Sequence, residues 1–396
     1  MTFTHGITFF ARTTHRNVGR RFGIKREDRR SHMLIIGKTG TGKSTLLRTL
    51  VSQDLHHGEG LALFDPHGDL VESVLSSVPR KREGDIIYLD TPNHARPWFF
   101  NPFSGIADDK KALAAAGMVE VFKKLWPDDW GPRLEHLLRN VIFTLLDMEG
   151  ATLGDIPRLL TDREWRREAV RQVTNEEVRA FWKDEYERYS GPFRAVVTAP
   201  LQNKVAAFLT DPLLARILRG KESSFDLREI MDTGKILLVN LAKGKIGEGP
   251  AALLGSLLVS SLSLAAFGRS DVQQEERRDF FLYLDEFHIF STLSLATMLS
   301  ELRKYHVGLV LAHQYFSQLE TEIRDAVLGN AGTLISFRVG SLDAPLLARE
   351  FSPVFEADDL LSLPNFNVYL KLMIDGQVSA PFSAMTIAEK DPPVAG

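Results

Sequence analysis

The sequence predicts an α/β fold with a mostly parallel sheet, interrupted by an all-helical insertion. Short apolar runs recur along the 396 residues, and each is continuous rather than alternating with polar residues. Continuous runs are typical of strands buried on both faces of a parallel sheet. Helical patterns lie between most of them, which indicates βαβ crossovers. The predicted strands are residues 33–36, 61–64, 86–89, 236–241, 280–284, 308–312, 333–337 and 368–373.

The interval from about residue 104 to residue 228 contains no convincing strand pattern. It carries amphipathic stretches instead, at residues 134–146, 163–173 and 176–189. We therefore predict a helical insertion that divides the α/β domain into two segments. The predicted organisation is a basic N-terminal arm at 1–31, an α/β domain at 32–105 and 229–390, a helical domain at 106–228 and a flexible tail at 391–396.

The composition excludes several classes of protein. The 48 basic and 51 acidic residues leave a net charge of −3, so any DNA contact must come from a local patch. One such patch is the arm, where residues 1–30 hold eight basic and two acidic side chains. The absence of cysteine excludes a disulfide scaffold, a thiolate zinc site and a cysteine nucleophile.

No membrane span is expected. The longest uncharged run covers residues 251–267 and includes four serines, whereas a spanning helix needs about 20 predominantly apolar residues. We interpret this run as a buried core helix. Residues 1–30 lack the apolar centre of a signal peptide.

A phosphate-binding loop is the strongest motif. Residues 37–44 fit G-x-x-x-x-G-K-[ST], with a strand pattern before them and a helix pattern after them. Glycines let the backbone wrap closely, so that its N–H groups point at phosphate oxygens. Lys43 is expected to bridge the β- and γ-phosphates, and Ser44 to coordinate Mg²⁺. The predicted nucleotide-binding residues are Gly37, Lys38, Thr39, Gly40, Thr41, Gly42, Lys43, Ser44 and Thr45.

An acidic pair, Asp285 and Glu286, follows the predicted strand 280–284. Ligands of α/β sheets bind at the carboxyl ends of the strands, which is where these carboxylates lie. We predict that Asp285 holds Mg²⁺ through water and that Glu286 is the general base that activates the attacking water. The alternative is an acidic turn after a core strand.

The next predicted strand ends at His313 and Gln314. A polar side chain at this tip can reach the γ-phosphate and report its presence. Gln314 is the candidate for this sensor. For His313 two interpretations stay open: the same role, or packing in the core without a functional role. The alternative is a pair of polar residues that only cap the strand.

Arginines are candidates for a role at a neighbouring active site. ATP hydrolysis gains from a guanidinium that neutralises charge on the γ-phosphate, and a neighbouring subunit often supplies it. Arg303, on the helix predicted before Gln314, and Arg338, after the strand 333–337, are the main candidates. Arg133 is a third, and each of the three is otherwise a solvated or structural arginine.

The turn at residues 65–69 carries Asp65, His67 and Asp69. Two carboxylates and an imidazole make a metal site conceivable. All three are also ordinary turn residues, so we expect a turn rather than a metal site.

Taken together, these motifs resemble the HerA–FtsK superfamily of P-loop motor ATPases, and within it the type IV coupling proteins of conjugation and secretion. The resemblance covers roughly residues 6–385. It is carried by the phosphate loop and by residues 65–69, 130–133, 235–244, 284–286, 312–314 and 337–338.

The resemblance implies a RecA-like core with a helical insertion, ring hexamers, Mg²⁺-dependent ATP hydrolysis between subunits and transport of DNA through the pore. It implies the roles given above for Lys43, Ser44, Asp285, Glu286 and Gln314, and a trans-acting finger at Arg303. Many coupling proteins carry N-terminal membrane helices that this sequence lacks. We expect a cytoplasmic location, with peripheral attachment at the inner membrane and a secretion-complex partner left open.

The cargo is a separate question, because a phosphate loop establishes nucleotide binding alone. The basic arm is a candidate DNA contact, and Lys204, Lys243 and Lys245 are candidate pore residues. The first hypothesis is an ATP-driven hexameric DNA translocase. The alternatives are a secretion or assembly ATPase that moves protein cargo, and a nucleotide-gated binding module with little turnover.

Overall fold

A computed structural model describes residues 6–15 and 19–388 and confirms the predicted fold class. Each predicted strand is present, with bounds that differ by one or two residues. The strands are β1 (Ile7–Thr13), β2 (Arg21–Lys25), β3 (Met33–Ile36), β4 (Gly60–Asp65), β5 (Ile86–Asp90), β6 (Ile236–Asn240), β7 (Phe280–Leu284), β8 (Val307–His313), β9 (Thr333–Ser336), β10 (Asn367–Lys371), β11 (Met373–Ile374), β12 (Gln377–Val378) and β13 (Phe382–Thr386).

Eleven of these strands form one sheet, in the order β2-β1-β13-β10-β9-β3-β8-β7-β4-β6-β5. The six strands from β9 to β6 are parallel, and every residue in them is buried. Burial on both faces explains their continuous apolar sequence. The strands β10, β13, β1 and β2 extend the sheet in antiparallel fashion.

The α-helices are α1 (Lys43–His57), α2 (Asp69–Leu75), α3 (Lys111–Leu125), α4 (Pro132–Asp147), α5 (Ile156–Thr161), α6 (Arg163–Gln172), α7 (Glu176–Ala180), α8 (Gly191–Leu209), α9 (Pro212–Leu218), α10 (Leu227–Thr233), α11 (Lys243–Ile246), α12 (Glu248–Gly268), α13 (Leu293–Leu302), α14 (Thr321–Asn330), α15 (Ala344–Phe351) and α16 (Ala357–Ser362). The chain forms two compact units. The first comprises Met1–Leu89, Arg228–Ala242 and Ala265–Gly396, and the second Asp90–Leu227 and Lys243–Leu264.

The second unit is the predicted helical domain with wider bounds. It begins at Asp90 instead of residue 106, because the non-periodic segment that follows β5 is bound to helical parts of the same unit. There the Asn101 side-chain amide donates to the carbonyls of Ala151 and Lys221, both at 2.8 Å. The unit also includes most of α12, whose uniformly apolar sequence carries no sign of the unit to which it belongs.

The predicted basic arm is a second difference from expectation, because its described part is built into the sheet. β1 pairs with β2 and with β13. Arg29 is buried, its guanidinium forms an ion pair with Asp54, and Nη2 donates to the Tyr283 hydroxyl at 2.7 Å. Arg29 therefore stabilises the fold instead of offering a charge to DNA. The predicted flexible tail, 391–396, and Arg16 lie outside the described residues.

Helix α12 contains the uncharged run that we interpret as core. By length and composition it is the one helix among the described residues that could cross a membrane, and 61% of its most apolar window is buried inside the protein. Core helices of globular proteins pass the same test, so the observation is weak evidence for a span.

Candidate active site

The phosphate loop connects β3 to α1, and its glycines adopt backbone angles that other residues rarely reach. Gly40 and Gly42 have φ values of +77° and +123°. A side chain on Gly42 would lie 2.9 Å from the Phe366 ring, so the loop has no room for one. These angles turn the loop around a hollow in front of the first turn of α1, where backbone N–H groups and the helix dipole favour an anion.

Lys43 opens α1 and turns back over the loop. Its Nζ donates to the carbonyls of Gly37 at 2.5 Å and Lys38 at 3.2 Å. Burial lowers the pKa of Lys43, while the nearby charges of Glu286 and Asp285 counteract that shift. The ammonium is therefore held between the loop and the acidic pair.

The acidic pair lies directly after β7, as the sequence predicted. Asp285 is buried, and its amide donates to the Phe64 carbonyl of β4 at 3.1 Å. Burial first, then the charges of Glu286 and Asp65, raise the pKa of Asp285 to about 7, while Lys43 opposes the shift. A buried carboxylate with a raised pKa is one that a bound cation stabilises strongly.

Glu286 has a left-handed backbone conformation, with φ of +50°. The Gln314 amide donates to its Oε1, and Thr39 Oγ1 donates to Gln314 Oε1 at 2.8 Å. Its Oε2 has no hydrogen-bond partner within the described chain, although His288 Nδ1 lies 3.5 Å away. One carboxylate oxygen is thus fixed by the glutamine, while the other is left without a hydrogen bond from the described chain.

The two motifs meet in one cleft of about 250 Å³. β3, β8 and β7 are parallel neighbours in the sheet, so the residues that follow them gather at one edge. The cleft is lined by Thr39, Gly40, Gly42, Lys43, Ser44, Thr45, His67, Asp285, Glu286, Gln314 and Phe366. The proximity of the glycine loop and the acidic pair, on which the sequence interpretation depends, is confirmed. The individual roles stay predictions.

The residues present fit a magnesium ion bound with a nucleotide. Ser44 supplies a hydroxyl and Asp285 a buried carboxylate at the same cleft, and hard oxygen donors are what Mg²⁺ prefers. Most of the six ligands of Mg²⁺ usually come from water and phosphate, so two protein groups are enough.

The turn at 65–69 serves the fold. Asp65 accepts backbone N–H groups from His67, Leu70 and Val71 at 2.8 to 3.0 Å. Both carboxylate oxygens thereby stabilise the turn and the start of α2, and the expected turn is present. His67 alone reaches the cleft.

The candidate arginines do not line the cleft of their own chain. Arg303 is exposed and lies before β8, at the opposite end of that strand from Gln314. Arg338 follows β9 beside the loop, but its guanidinium donates to the Leu363 carbonyl and to Asn365 Oδ1, both at 3.0 Å. Within one chain, Arg338 therefore holds a loop.

The remaining cationic candidates belong to the second unit. The Arg133 guanidinium lies 5.9 Å from the centre of the Phe193 ring. Lys204 forms an ion pair with Asp129 at 2.6 Å. Lys243 and Lys245 lie on the short helix α11. The assignment of the three lysines to a pore, and of Arg133 to a neighbouring active site, stays a prediction.

Two lining residues were missed by the sequence analysis, Phe366 and His67. Phe366 belongs to no motif, since it lies in a loop before β10 and reaches the phosphate loop only through the fold. His67 was considered as a metal ligand and not as part of this cleft.

Comparison with models of known protein families shows to which family the chain belongs. Residues 21–343 match the model of the type IV secretion-system coupling protein DNA-binding domain. The chain belongs to this family. The match includes residues from all three segments of the α/β unit as well as the helical unit, and it confirms the predicted kinship with coupling-protein P-loop ATPases.

Individual relatives agree. The chain is 23% identical over 368 residues to the type 4 coupling protein DotL of Legionella pneumophila, an alignment that covers 78% of this chain and 46% of DotL. The chain thus spans about half the length of that curated relative.

Solved structures share the fold. The bacterial conjugative coupling protein TrwB, without its first 70 residues, superposes with a TM-score of 0.64 at 16% identity, covering 96% of this chain and 90% of TrwB. TrwB has also been solved with ADP and Mg²⁺. VirB4 of Thermoanaerobacter pseudethanolicus gives a TM-score of 0.62 at 14% identity, covering 99% of this chain and 98% of that one.

Proposed function

We propose that this coupling-family protein is a Mg²⁺-dependent ATPase that moves DNA, acting as a ring of six copies with hydrolysis at the subunit interfaces. One observation carries the proposal: the loop of Lys43 and Ser44 shares a single cleft with Asp285, Glu286 and Gln314. This arrangement supplies phosphate binding, a metal position and water activation together. Hydrolysis of ATP needs all three.

In the proposed reaction, Lys43 and the loop N–H groups hold the β- and γ-phosphates of ATP. Ser44 and Asp285 are the residues for Mg²⁺, which when bound neutralises phosphate charge. Glu286 accepts a proton from water as the water oxygen attacks the γ-phosphorus. The bond from phosphorus to the bridging oxygen of ADP breaks, which gives ADP and phosphate. Gln314 orients Glu286 and contacts the γ-phosphate.

DNA is proposed as cargo because the matched family model describes a DNA-binding domain. The α/β unit offers a smaller cationic surface than the sequence suggested, since Arg29 is buried and paired with Asp54. We therefore place the DNA contacts on residues that six copies bring together. Lys243 and Lys245 are the candidates. The proposed place of action is the cytoplasmic side of a type IV secretion system, beside a partner protein of that system.

The decisive experiment measures ATP hydrolysis with and without single- and double-stranded DNA, alongside mass determination in ATP. We expect DNA to raise the rate, Lys43→Ala to abolish it and the mass to be six times that of one chain. Hydrolysis by the assembled protein that ignores DNA and rises with a secreted partner protein would favour protein cargo instead.

A further inference from the structure

We propose that the ring of Phe366 stacks on the base of the bound nucleotide, so that this residue forms the nucleoside end of the cleft. The inference rests on the proposed function, because it requires a nucleoside triphosphate at the phosphate loop. It adds a residue outside every recognised motif.

The order of the strands fixes the direction of the nucleotide. Glu286 and Gln314 follow β7 and β8, which lie on one side of β3 and its loop. The γ-phosphate end therefore points to that side. On the other side lie β9 and then β10, and Phe366 immediately precedes β10. Since β10 is antiparallel to β9, its first residue lies at the same edge as the loop.

The ring is placed where a base can reach it. Phe366 lines the cleft, lies against Gly42 of the loop and is 45% exposed. A large apolar side chain gains free energy when a partner removes its surface from water. Aromatic rings stack on nucleobases with about 1–3 kcal/mol per base.

The backbone at Phe366 is held in an unfavourable conformation. Its φ is +65°, a region that costs a bulky residue about 1–3 kcal/mol. Its N–H donates to the Thr41 carbonyl at 2.8 Å, and its carbonyl accepts the Thr386 amide at 2.8 Å. Two strong contacts therefore hold an exposed ring against the phosphate loop, which is the pattern of a positioned binding residue.

Arg338 stiffens the same segment. Its guanidinium donates to Leu363 and Asn365, just before Phe366, while its own carbonyl accepts the Lys38 amide at 2.9 Å. The phosphate loop and the Phe366 loop are thus joined through one residue. A ring on a rigid support loses little conformational entropy when a ligand covers it.

This arrangement selects for a flat ring more than for a particular base. Among the described residues that line the cleft, the side-chain amide and carboxylates belong to Gln314, Asp285 and Glu286, at the γ-phosphate end. Stacking is tolerant of base identity and varies with stacking strength. We expect ATP and GTP to bind with similar affinity, and UTP to bind more weakly.

The test compares the affinity of the full chain for Mg²⁺-ATP and for Mg²⁺-tripolyphosphate, which has no base, by calorimetry. Phe366→Gly removes the ring and suits the positive φ, while Phe366→Trp keeps a stacking face. We expect Phe366→Gly to weaken ATP about fivefold to a hundredfold and to leave tripolyphosphate unchanged. Phe366→Trp should retain ATP affinity. Phe193→Ala, a similarly exposed aromatic of the other unit, is the control.

Equal weakening of both ligands would overturn the proposal, because the ring would then only support the loop. Unchanged ATP affinity in Phe366→Gly would overturn it as well. Failure of the proposed function looks different: the wild-type protein would bind neither ligand, or Lys43→Ala would bind both as well as the wild type does.

Discussion

At the scale of single residues, the conformation and hydrogen bonds of Glu286 bear most directly on the proposed reaction. Its left-handed backbone and the hydrogen bond from Gln314 fix one carboxylate oxygen, which leaves Oε2 without a hydrogen-bond partner within the described chain. A buried acceptor that lacks a donor costs free energy, so natural proteins keep few of them. This oxygen is the one that we propose takes a proton from water.

The first prediction is that Glu286→Gln lowers kcat for ATP about 100-fold or more, because the amide cannot accept the proton. The affinity for Mg²⁺-ATP should change little, since the shape of the side chain is kept. Single-turnover hydrolysis and calorimetry measure the two effects. Glu275→Gln, an exposed acid in a surface turn, is the matched control. Full turnover in Glu286→Gln would contradict the assigned role.

The second prediction concerns His32, whose Nε2 lies 2.7 Å from the Leu299 carbonyl while Nδ1 accepts the Leu309 amide at 3.1 Å. Burial first, and then the charge of Arg303, lower the pKa of this histidine to about 4. The folded protein therefore binds the proton less readily than the unfolded chain. Stability is complete above about pH 6.5 and falls as the pH drops toward 4.

The loss amounts to about 3 kcal/mol across that window, at 1.36 kcal/mol per pKa unit. Urea unfolding at pH 7 and pH 5 covers the upper part of that window and should show a loss of about 2 kcal/mol. His32→Asn, which tolerates the positive φ of this position, should show a flatter pH dependence than the wild type. An identical slope in the two proteins would contradict this assignment.

At the scale of secondary structure, the cluster around Arg29 ties four elements together. The residue lies in a turn before β3, and its guanidinium contacts Asp54 of α1 and Tyr283 of β7. It also donates to Thr8 of β1 at 3.1 Å and lies 3.6 Å from the centre of the Phe281 ring. A cation counted as part of a DNA-binding arm is in fact a buried connector.

The third prediction is that Arg29→Met lowers the free energy of unfolding by about 3–5 kcal/mol, because Asp54 is left buried without its counter-charge. The double variant Arg29→Met, Asp54→Leu should recover much of that loss. A double-mutant cycle from urea unfolding gives the coupling energy. Arg80→Ala, at an exposed site, is the control. Losses that simply add would show that the ion pair contributes nothing.

The elements also show what a sequence can reveal. The central strands β3, β7 and β8 were predicted closely, because burial on both faces leaves an uninterrupted apolar run. β1 and β2 were missed because they are half-exposed strands that carry arginine and lysine, and the charge masked their alternation. Local composition cannot indicate which distant strand covers such a segment.

The site divides in the same way. The sequence predicted Lys43, Ser44, Asp285 and Glu286, because each belongs to a short contiguous motif that directly follows a strand. Phe366 was not, because it reaches the phosphate loop through the antiparallel pairing of β10 with β9 and through a positive φ that no neighbour in sequence signals.

At the scale of the whole molecule, the position of Arg303 excludes a role at the cleft of its own chain. β8 separates Arg303 from Gln314 by about 20 Å, at 3.3 Å per residue, so a guanidinium at one end cannot reach a phosphate at the other. If Arg303 acts in catalysis, it acts on the site of a neighbour.

The fourth prediction follows from that geometry. Lys43→Ala and Arg303→Ala should each be inactive alone, the latter by about 1000-fold. A mixture of the two should recover activity, because some interfaces combine an intact loop with an intact Arg303. ATPase assays of mixed subunits measure this recovery. Mixing Arg303→Ala with the double variant Lys43→Ala, Arg303→Ala is the control, since no interface then holds an intact Arg303, and absence of recovery in the first mixture would remove Arg303 from catalysis.

The pairing of β1 with β13 joins the first and last strands of the described chain. Ala11 faces Thr386 across that pair, and the carbonyl of Phe10 accepts the amide of Ile387 at 3.0 Å. Because β13 runs in the same direction as β9, the first and last described strands meet at the edge that holds the glycine loop. The first residues of β1 and the last residues of β13 therefore lie at the same edge of the sheet as the ATP cleft, four and three strands away from β3, so a change there can reach the glycine loop through the intervening strands.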